Sequence, residues 1–432
     1  MKFCSTTLGC KVNQVETQAI ESILVSRGHI LALAGEGCDV CIINTCAVTA
    51  ESVRKSRQAV RKMKKLEPDA LIAVCGCLSQ LDAQAVEALE ADLVGGSGDR
   101  SRFAFEIEST IAASRETKSV YIDNPFERVD FEQLPGGRGF GRTRAFLKIQ
   151  DGCENFCAYC VIPFARGKVR SLPIEHAGAQ AKELAEQGFL EIVITGIEIS
   201  SYGKDLPDNP PLISIIREIS GAAPHVRLRL GSLDPGALTS EFCRDLSGIS
   251  NMCNHFHLSL QSGCDETLNR MGRKYDIKAV RNSINSLRQL FPDCGISADL
   301  IVGFPGETEA EFEQTLNFIN SVSFSKMHVF PFSPRPGTRA VDMPNQVKKE
   351  IRRERAYIIG RAAEAMELDF IKRQVGKCVS VLIEQKRGDY WVGHAGNYIE
   401  VALKHGGEKN NVYSVQITGI SAGMTKGEIM YS

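Results

Sequence analysis

Between residue 1 and about residue 115, short apolar runs alternate with amphipathic stretches. KFCSTTL, DVCIINT, ALIAVCG and DLVGG combine β-branched and apolar residues between polar or glycine-containing turns, which predicts strands. The segments beginning near Val15, Ala50, Leu81 and Ser101 carry the helical period instead. This alternation predicts an α/β unit built on a parallel sheet. Residues 116–142 break the rhythm. A strand-like SVYID gives way to polar residues and the Gly-rich PGGRGFG, a linker pattern.

From Thr143 the alternation restarts. RAFLKIQ, LEIVITG, VRLRLGS, HFHLSL, ISADLIVG and KMHVFPF read as strands, separated by helical stretches such as EHAGAQAKELAEQ, KAVRNSINSLRQL and EAEFEQTLNFIN. Six βα units in succession predict a parallel partial (β/α)6 barrel, with its active site at the C-terminal ends of the strands. A long charged helix, VKKEIRRERAYIIGRAAEAMELDFIKRQV, leads into a tail from about Gly376. The tail holds five short strand patterns separated by Gly, Asn and Lys turns, which predicts a small antiparallel β-barrel of the oligonucleotide-binding kind. The fold class expected is therefore α/β, with an N-terminal parallel-sheet domain over 1–128, a central barrel over 139–370 and the small barrel over 374–432.

A chain of 432 residues exceeds one ordinary core, in keeping with several domains. No apolar run is long enough to span a membrane, and MKFCSTTLGC lacks the apolar core of a secretory signal, so a cytoplasmic protein with no membrane partner is expected. The net charge of −1 leaves nucleic-acid binding to local patches. Fifteen cysteines change the picture, because without a secretory signal they point to metal or catalysis rather than a disulfide framework. Cys38, Cys41, Cys243, Cys253, Cys294 and Cys378 sit in apolar or helical surroundings and read as buried small hydrophobes, as does Cys4 inside the first strand.

Two cysteine sets remain. In GCENFCAYC, Cys153, Cys157 and Cys160 follow the first barrel strand with the spacing C-x3-C-x2-C. A tetrahedral zinc or a four-iron cluster needs four ligands. Either a distant residue completes a zinc knuckle, or the fourth position stays open for a reactant. Cys10, Cys46 and Cys77 each follow one of the first three N-terminal strands, and strand ends of a parallel sheet converge on one site. Scattered structural cysteines are the alternative. Cys75 shares the facing of Cys77 by strand alternation but lies deeper, which favours Cys77. The basic helix RKSRQAVRKMKK, residues 54–65, is either a solvated face or a phosphate contact.

With Tyr159 between its last two cysteines, the loop reads C-x3-C-x-aromatic-C, and from about 143 to 345 the chain resembles the radical S-adenosylmethionine (SAM) enzymes. The resemblance implies a [4Fe-4S] cluster on Cys153, Cys157 and Cys160, with SAM on the open iron as the source of a 5′-deoxyadenosyl radical. It implies SAM contacts at Tyr159, at Thr195 and Gly196 in EIVITGIEI, at Arg229 and Ser232 in RLRLGSLDP, and at Ser259 and Gln261 in LSLQSG. GFPGE (303–307) and HVFPFSPRPGT would lie near the adenine. Two positions depart from the family pattern: the family usually has His or Asn near Glu198, and Leu172 stands where an Arg is common.

GCKVN, NTCAVT and GCLSQ resemble the methylthiotransferases over nearly the whole chain. That implies a second [4Fe-4S] cluster, on Cys10, Cys46 and Cys77, carrying the sulfur to be inserted. The tail resembles the TRAM domain, an RNA-binding module, with Lys386, Arg387, Trp391, Tyr398 and Lys404 as candidate contacts and barrel core as the other reading of Trp391. Within the family, GCKVNQ and NTCAVT look most like the branch that converts threonylcarbamoyladenosine 3′ of the tRNA anticodon to its 2-methylthio derivative. The isopentenyladenosine branch, or the one acting on a ribosomal-protein aspartate, is the alternative; a non-catalytic RNA-binding metalloprotein is a rival of another class. Implied partners are tRNA and an electron donor of flavodoxin or ferredoxin type, acting on a monomer, with the sulfur source left open.

Overall fold

The computed structural model describes residues 1–113, 118–135 and 143–430. Its N-terminal sheet has six parallel strands in the spatial order Ile30–Leu31, Lys2–Thr7, Val40–Thr45, Leu71–Gly76, Leu93–Gly95, Ser119–Tyr121. Val40–Thr45 and Leu71–Gly76 are buried at every position, which is why they read as continuous apolar runs. The sequence pattern misses Ile30–Leu31 and assigns SVYID to the linker. Both are short edge strands with exposed or half-exposed side chains, so neither needs an apolar signature. Most of the Gly-rich linker, residues 136–142, lies outside the described residues.

Helices cover both faces of this sheet. Ala50–Leu66 starts at a capping box between Thr49 and Ser52 and buries Val53, Ser56, Val60 and Met63 along one stripe. Lys11–Ser26 begins four residues before Val15, directly after Cys10. The helix expected from Leu81 instead begins at Cys77, stops at Leu81, and restarts at Ala83 with Asp82 as its cap.

The central unit has six parallel strands in sequential order: Arg144–Asp151, Glu191–Gly196, Arg227–Leu233, His255–Gln261, Gly295–Val302 and Lys326–Pro331. The third is interrupted at Gly231, so its first half pairs with the second strand and its second half with the fourth. This is the open parallel barrel that the alternation predicts. Alternate residues such as Leu147, Ile192, Leu258 and Leu300 pack under the surrounding helices in one large core. The intervening Lys148, Thr195, His257 and Asp299 therefore face the interior.

Residues Cys378–Arg387, Tyr390–Ala395, Glu400–Leu403, Val412–Ser421 and Met424–Ile429 close into a five-stranded barrel. Its pairs are antiparallel except the third strand with the fifth. This unit caps the first residues of the central strands. Arg229 donates to the Gly396 and Ala395 carbonyls at 2.8 and 3.1 Å, Arg227 donates to the Ser380 carbonyl at 2.9 Å, and Tyr398 stacks on His255 with ring centroids 4.6 Å apart. The N-terminal unit meets the loops at the opposite, C-terminal ends, where the Ala50 amide donates to Ser333 at 3.1 Å and Ser97 to the Ala165 carbonyl at 2.5 Å. Among the described residues no helix is long and apolar enough to cross a membrane.

Candidate active site between two cysteine sets

The first set occupies the turn after Arg144–Asp151. The Cys153 amide donates to the Gly167 carbonyl at 3.0 Å, the Cys160 amide to the Cys157 carbonyl at 3.0 Å, and the Ala158 amide to the Met271 carbonyl at 2.8 Å. Arg273 reaches the same loop. It places one guanidinium nitrogen 3.3 Å from Cys157 Sγ and another 2.8 Å from Asp234, and also donates to the Ser259 carbonyl at 3.2 Å. Burial pushes the Cys153 thiol up to about 11 and the Cys160 thiol to about 12. Binding a metal here must therefore release protons.

In the second set, Cys10 precedes the helix Lys11–Ser26, Cys46 follows Val40–Thr45, and Cys77 opens the helix after Leu71–Gly76. The three strands are neighbours, so the cysteines meet at one edge. A Cβ on Gly9 would come within 3.0 Å of Cys46 Sγ, which shows how closely the first two turns approach. Asn13 joins them by donating to the carbonyls of Leu8 and Thr45 at 2.9 and 3.0 Å. Ser56 brackets Cys46, accepting from its amide and donating to its carbonyl, both at 3.1 Å. Cys10 lies at the solvent-facing rim, although protein crowds its thiol on the other sides and burial pushes it up. Burial likewise raises Cys77 to about 12, against the pull of Arg166.

Cys75 does not share the facing of Cys77. It packs with Phe3, Ile42 and Phe103 on one side of the sheet, whereas Cys77 packs with Val74, Leu78 and Ile43 on the other. Gly76, at φ 105°, takes the chain out of the strand between them, so alternation by twos ends there.

Arg166 joins the two sets. It stands in the helix Ile162–Arg166 just after Cys160, yet its Nε lies 3.3 Å from Cys77 Sγ and its Nη2 donates to Asn13 at 2.8 Å. It also pairs with Glu16, which accepts from Lys148 at 3.3 Å. Burial alone would raise the Glu16 carboxyl, but Arg166, Lys148 and Arg100 outweigh it and hold the group at about 2. Pattern reasoning missed Arg166, Glu16, Asn13 and Arg273 as site residues. The only local signal was a cation close behind a cysteine loop.

A cavity of about 240 Å³ is bordered by Val48 and Thr49, just past Cys46, by Tyr159 of the cysteine loop, and by Gln261, Asp299 and Phe330 of the barrel. Thr195 and Gly196 end the second strand as expected, with Gly196 packed against Gln150, and Ser232 is exposed where the third strand resumes. The Ser259 carbonyl accepts from Arg273 and Tyr275. Gln261 sits at φ 65° beside a register shift in its strand, a distortion typical of re-aimed site residues.

Other expectations are not met. Arg229 is buried at the far end of the barrel, pairing with Glu191 at 2.7 Å under the small barrel, and does not reach the cysteine loop. Tyr398 is spent on the stack with His255 and is not a free platform for a base. Cys378 is exposed rather than buried, while Cys4, Cys38, Cys41, Cys243, Cys253 and Cys294 are buried as read. Leu172 is core, so no anion contact comes from that position. Glu198, in the family's His or Asn neighbourhood, has its carboxyl raised by burial and by Asp234, and caps the Ser200 amide at 3.1 Å.

The donor sets fit iron–sulfur clusters better than single ions. A zinc about 2.3 Å from each thiolate would draw three sulfurs to roughly 3.8 Å from one another. Among the described residues neither cysteine set has all three sulfurs within 4.8 Å. A four-iron cluster gives each thiolate its own iron and spreads them.

Residues 147–319 match the radical SAM superfamily, and residues 2–96 match an uncharacterized protein family, UPF0004. The threonylcarbamoyladenosine tRNA methylthiotransferase MtaB of Bacillus subtilis is 35% identical over 405 residues, 92% of this chain and 89% of the relative. The protein of the same name from Thermotoga maritima is 34% identical over 96% of this chain and 94% of its own length. The tRNA-2-methylthio-N(6)-dimethylallyladenosine synthase of Caldicellulosiruptor saccharolyticus is 32% identical over 88% and 81%. Among solved structures, the radical SAM methyltransferase TsrM of Kitasatospora setae superposes with a TM-score of 0.56 at 13% identity, over 90% of this chain and 77% of that one, a likeness of fold. The cysteine sets thus lie on a radical SAM barrel whose full-length relatives share a third of its residues, and the chain belongs to the radical SAM tRNA methylthiotransferase family.

Proposed function

We propose that the protein converts threonylcarbamoyladenosine beside the tRNA anticodon to its 2-methylthio derivative. The observation that carries this reading is the pair of cysteine sets at strand ends, whose neighbours Val48 and Thr49, just past Cys46, and Tyr159, beside Cys160, border one cavity. Cys153, Cys157 and Cys160 would hold one [4Fe-4S] cluster with SAM on its open iron, and Cys10, Cys46 and Cys77 would hold a second. Bound there, these groups supply a carbon radical able to take a hydrogen atom from the base, and sulfur and methyl to replace it.

The chain's own residues hold that arrangement. Arg273 fixes Cys157 relative to Asp234 and the Ser259 carbonyl, Arg166 and Asn13 fix the second set relative to the first, and the apolar wall of Tyr159, Ile301 and Phe330 limits water in the cavity. Relatives named for threonylcarbamoyladenosine match over 90–99% of this chain, while those named for dimethylallyladenosine match over 82–88%, which favours the first branch. The same reading assigns a cytoplasmic monomer reduced by a flavodoxin- or ferredoxin-type donor.

Mass spectrometry of tRNA nucleosides from a strain lacking the gene tests the substrate. Loss of the 2-methylthio form of threonylcarbamoyladenosine is the expected result. Loss of methylthio-isopentenyladenosine instead would move the chain to the other branch.

A further inference from the structure

The lower interior of the central barrel carries more positive than negative charge. Phe146 and Lys148 alternate with Leu147 on the first barrel strand and face inward, and the helix Lys11–Ser26 lies over them, with Val15 and Ala19 on Phe146 and Glu16 beside Lys148. Lys11 stands one turn before Val15 on the same face of that helix, so its side chain reaches into the barrel directly after Cys10. Burial pulls the Lys11 ammonium below its ordinary value; Tyr398 opposes this and Arg229 and Arg144 add to it, so the four side chains share one space. Arg144 lies over the Tyr398 ring at 5.3 Å and Arg229 at 4.9 Å. Glu191 pairs with Arg227 and Arg229 and lies 3.5 Å from Arg144, which also pairs with Glu384. Two acids thus serve three arginines, and Lys11 has no carboxylate partner among the described residues. Buried charge without a partner is costly, and an anion arriving with a ligand supplies one.

Tyr398 supplies an independent observation. It sits at φ 71°, a left-handed conformation that costs a bulky aromatic residue strain, in the turn between Tyr390–Ala395 and Glu400–Leu403. Its ring is held between His255 and His394, with centroids 4.6 and 4.8 Å away. Its hydroxyl makes no hydrogen bond among the described residues and is free to donate. Beside it, Arg144 Nε and His255 Nδ1 are buried without a hydrogen-bond partner. We propose that Lys11, reaching down from Cys10, and the Tyr398 hydroxyl, reaching up from the floor, bracket an anion subsite backed by Arg144, and that it takes the carboxylate of the amino-acid substituent on N6 of the target adenine. The inference rests on the assignment of threonylcarbamoyladenosine as substrate. It gives the basis on which that base is told from others, since plain adenosine and isopentenyladenosine carry no anion at N6. The small barrel closes the floor, so no RNA strand threads past Lys11, and the group that reaches it belongs to the base rather than to the phosphate backbone.

Binding of anticodon stem-loop RNAs to the full-length, iron-loaded protein, without turnover, tests it. The probes carry N6-threonylcarbamoyladenosine, its uncharged primary amide, plain adenosine or N6-isopentenyladenosine at the target position. Wild type should bind the acid about tenfold or more tighter than the amide, the worth of one hydrogen bond to a charged group. K11M should abolish that preference and Y398F should cut it severalfold, with iron content confirming that each variant is folded and loaded. Acid and amide bound equally by wild type, both tighter than plain adenosine, would overturn the subsite and leave the substrate assignment standing. So would a preference kept in both variants, which would place the carboxylate elsewhere, or a K11M that weakens acid and amide alike, which would make Lys11 merely structural. Tightest binding of the isopentenyl probe by wild type would overturn the substrate assignment and the subsite with it.

Discussion

Arg166 shows what a single side chain does in this protein. It is fully buried, and it contacts Cys77, Asn13 and Glu16, all of the opposite unit. A lysine has no planar fork and would satisfy one of these partners at a time. Glu16 completes the pairing from a fully buried position shared with Lys148. Removing one member of a buried pair leaves the other uncompensated, so Glu16→Gln should lower unfolding stability at neutral pH by about 3–5 kcal/mol. Denaturant titration of the purified protein measures this directly. Because the folded-state Glu16 is depressed to about 2 from its ordinary 4.5, its contribution is complete above about pH 4.5 and is lost as the pH falls toward 2. The stability gap between wild type and Glu16→Gln should close over that interval; a constant gap would mean the carboxylate charge is not what stabilises.

At the scale of elements, three strand ends of one sheet do what a contiguous motif does in the barrel loop. Each cysteine of the second set is delivered by a turn into or beside a helix, and Gly76 is the tightest of these turns. It has φ 105°, and a Cβ there would lie 2.5 Å from the Thr45 carbonyl. Gly76→Ala should destabilise the N-terminal unit by more than about 1 kcal/mol and displace Cys77, seen as a lower denaturation midpoint together with reduced iron uptake. Replacing Cys10, Cys46 and Cys77 together should leave about half the iron, since the barrel loop keeps its own three thiolates. Reductive SAM cleavage should persist and the methylthio product should vanish. Full iron content in that variant would show that these cysteines are not ligands.

Across the whole molecule, the central barrel is covered at both ends. The N-terminal unit lies over the strand C-termini, and the small barrel seals the N-terminal ends, where Arg144 pairs with Glu384 and Arg227 and Arg229 donate to its carbonyls. Deleting residues 374–432 would therefore uncover a buried ion network as well as remove candidate RNA-binding side chains, and the truncated protein should melt lower than the full chain. Point substitutions separate the two effects. Lys386 lies over the Trp391 ring at 5.5 Å, and Lys404 is exposed. Lys386→Ala with Lys404→Ala should leave the melting temperature unchanged, weaken tRNA binding, and reduce the slope of log affinity against log salt by about one for each phosphate no longer neutralised. An unchanged slope would place the RNA elsewhere.

The sequence by itself determined the features that are local. Apolar periodicity marked the six barrel strands and four of the six strands of the N-terminal sheet with helices around them, because burial of one face imposes that period wherever the element lies. The C-x3-C-x2-C loop was legible because its cysteines are chain neighbours, and the dispersed cysteines because each follows a strand in a parallel sheet. Tertiary structure decided what depends on depth and on partners far along the chain. Alternation places Arg229 and Asp299 inside the barrel equally, but it carries no information on which end a residue occupies or what covers that end. Arg166 looks like an ordinary cation until a helix more than a hundred residues earlier brings Glu16 and Asn13 to it. His257, Asp299 and His328, whose donor atoms lie within 4.8 Å of one another, come from three strands, each contributing one unremarkable polar position. Strand register, set by backbone pairing and by the packing of the opposite apolar face, is what brings them together.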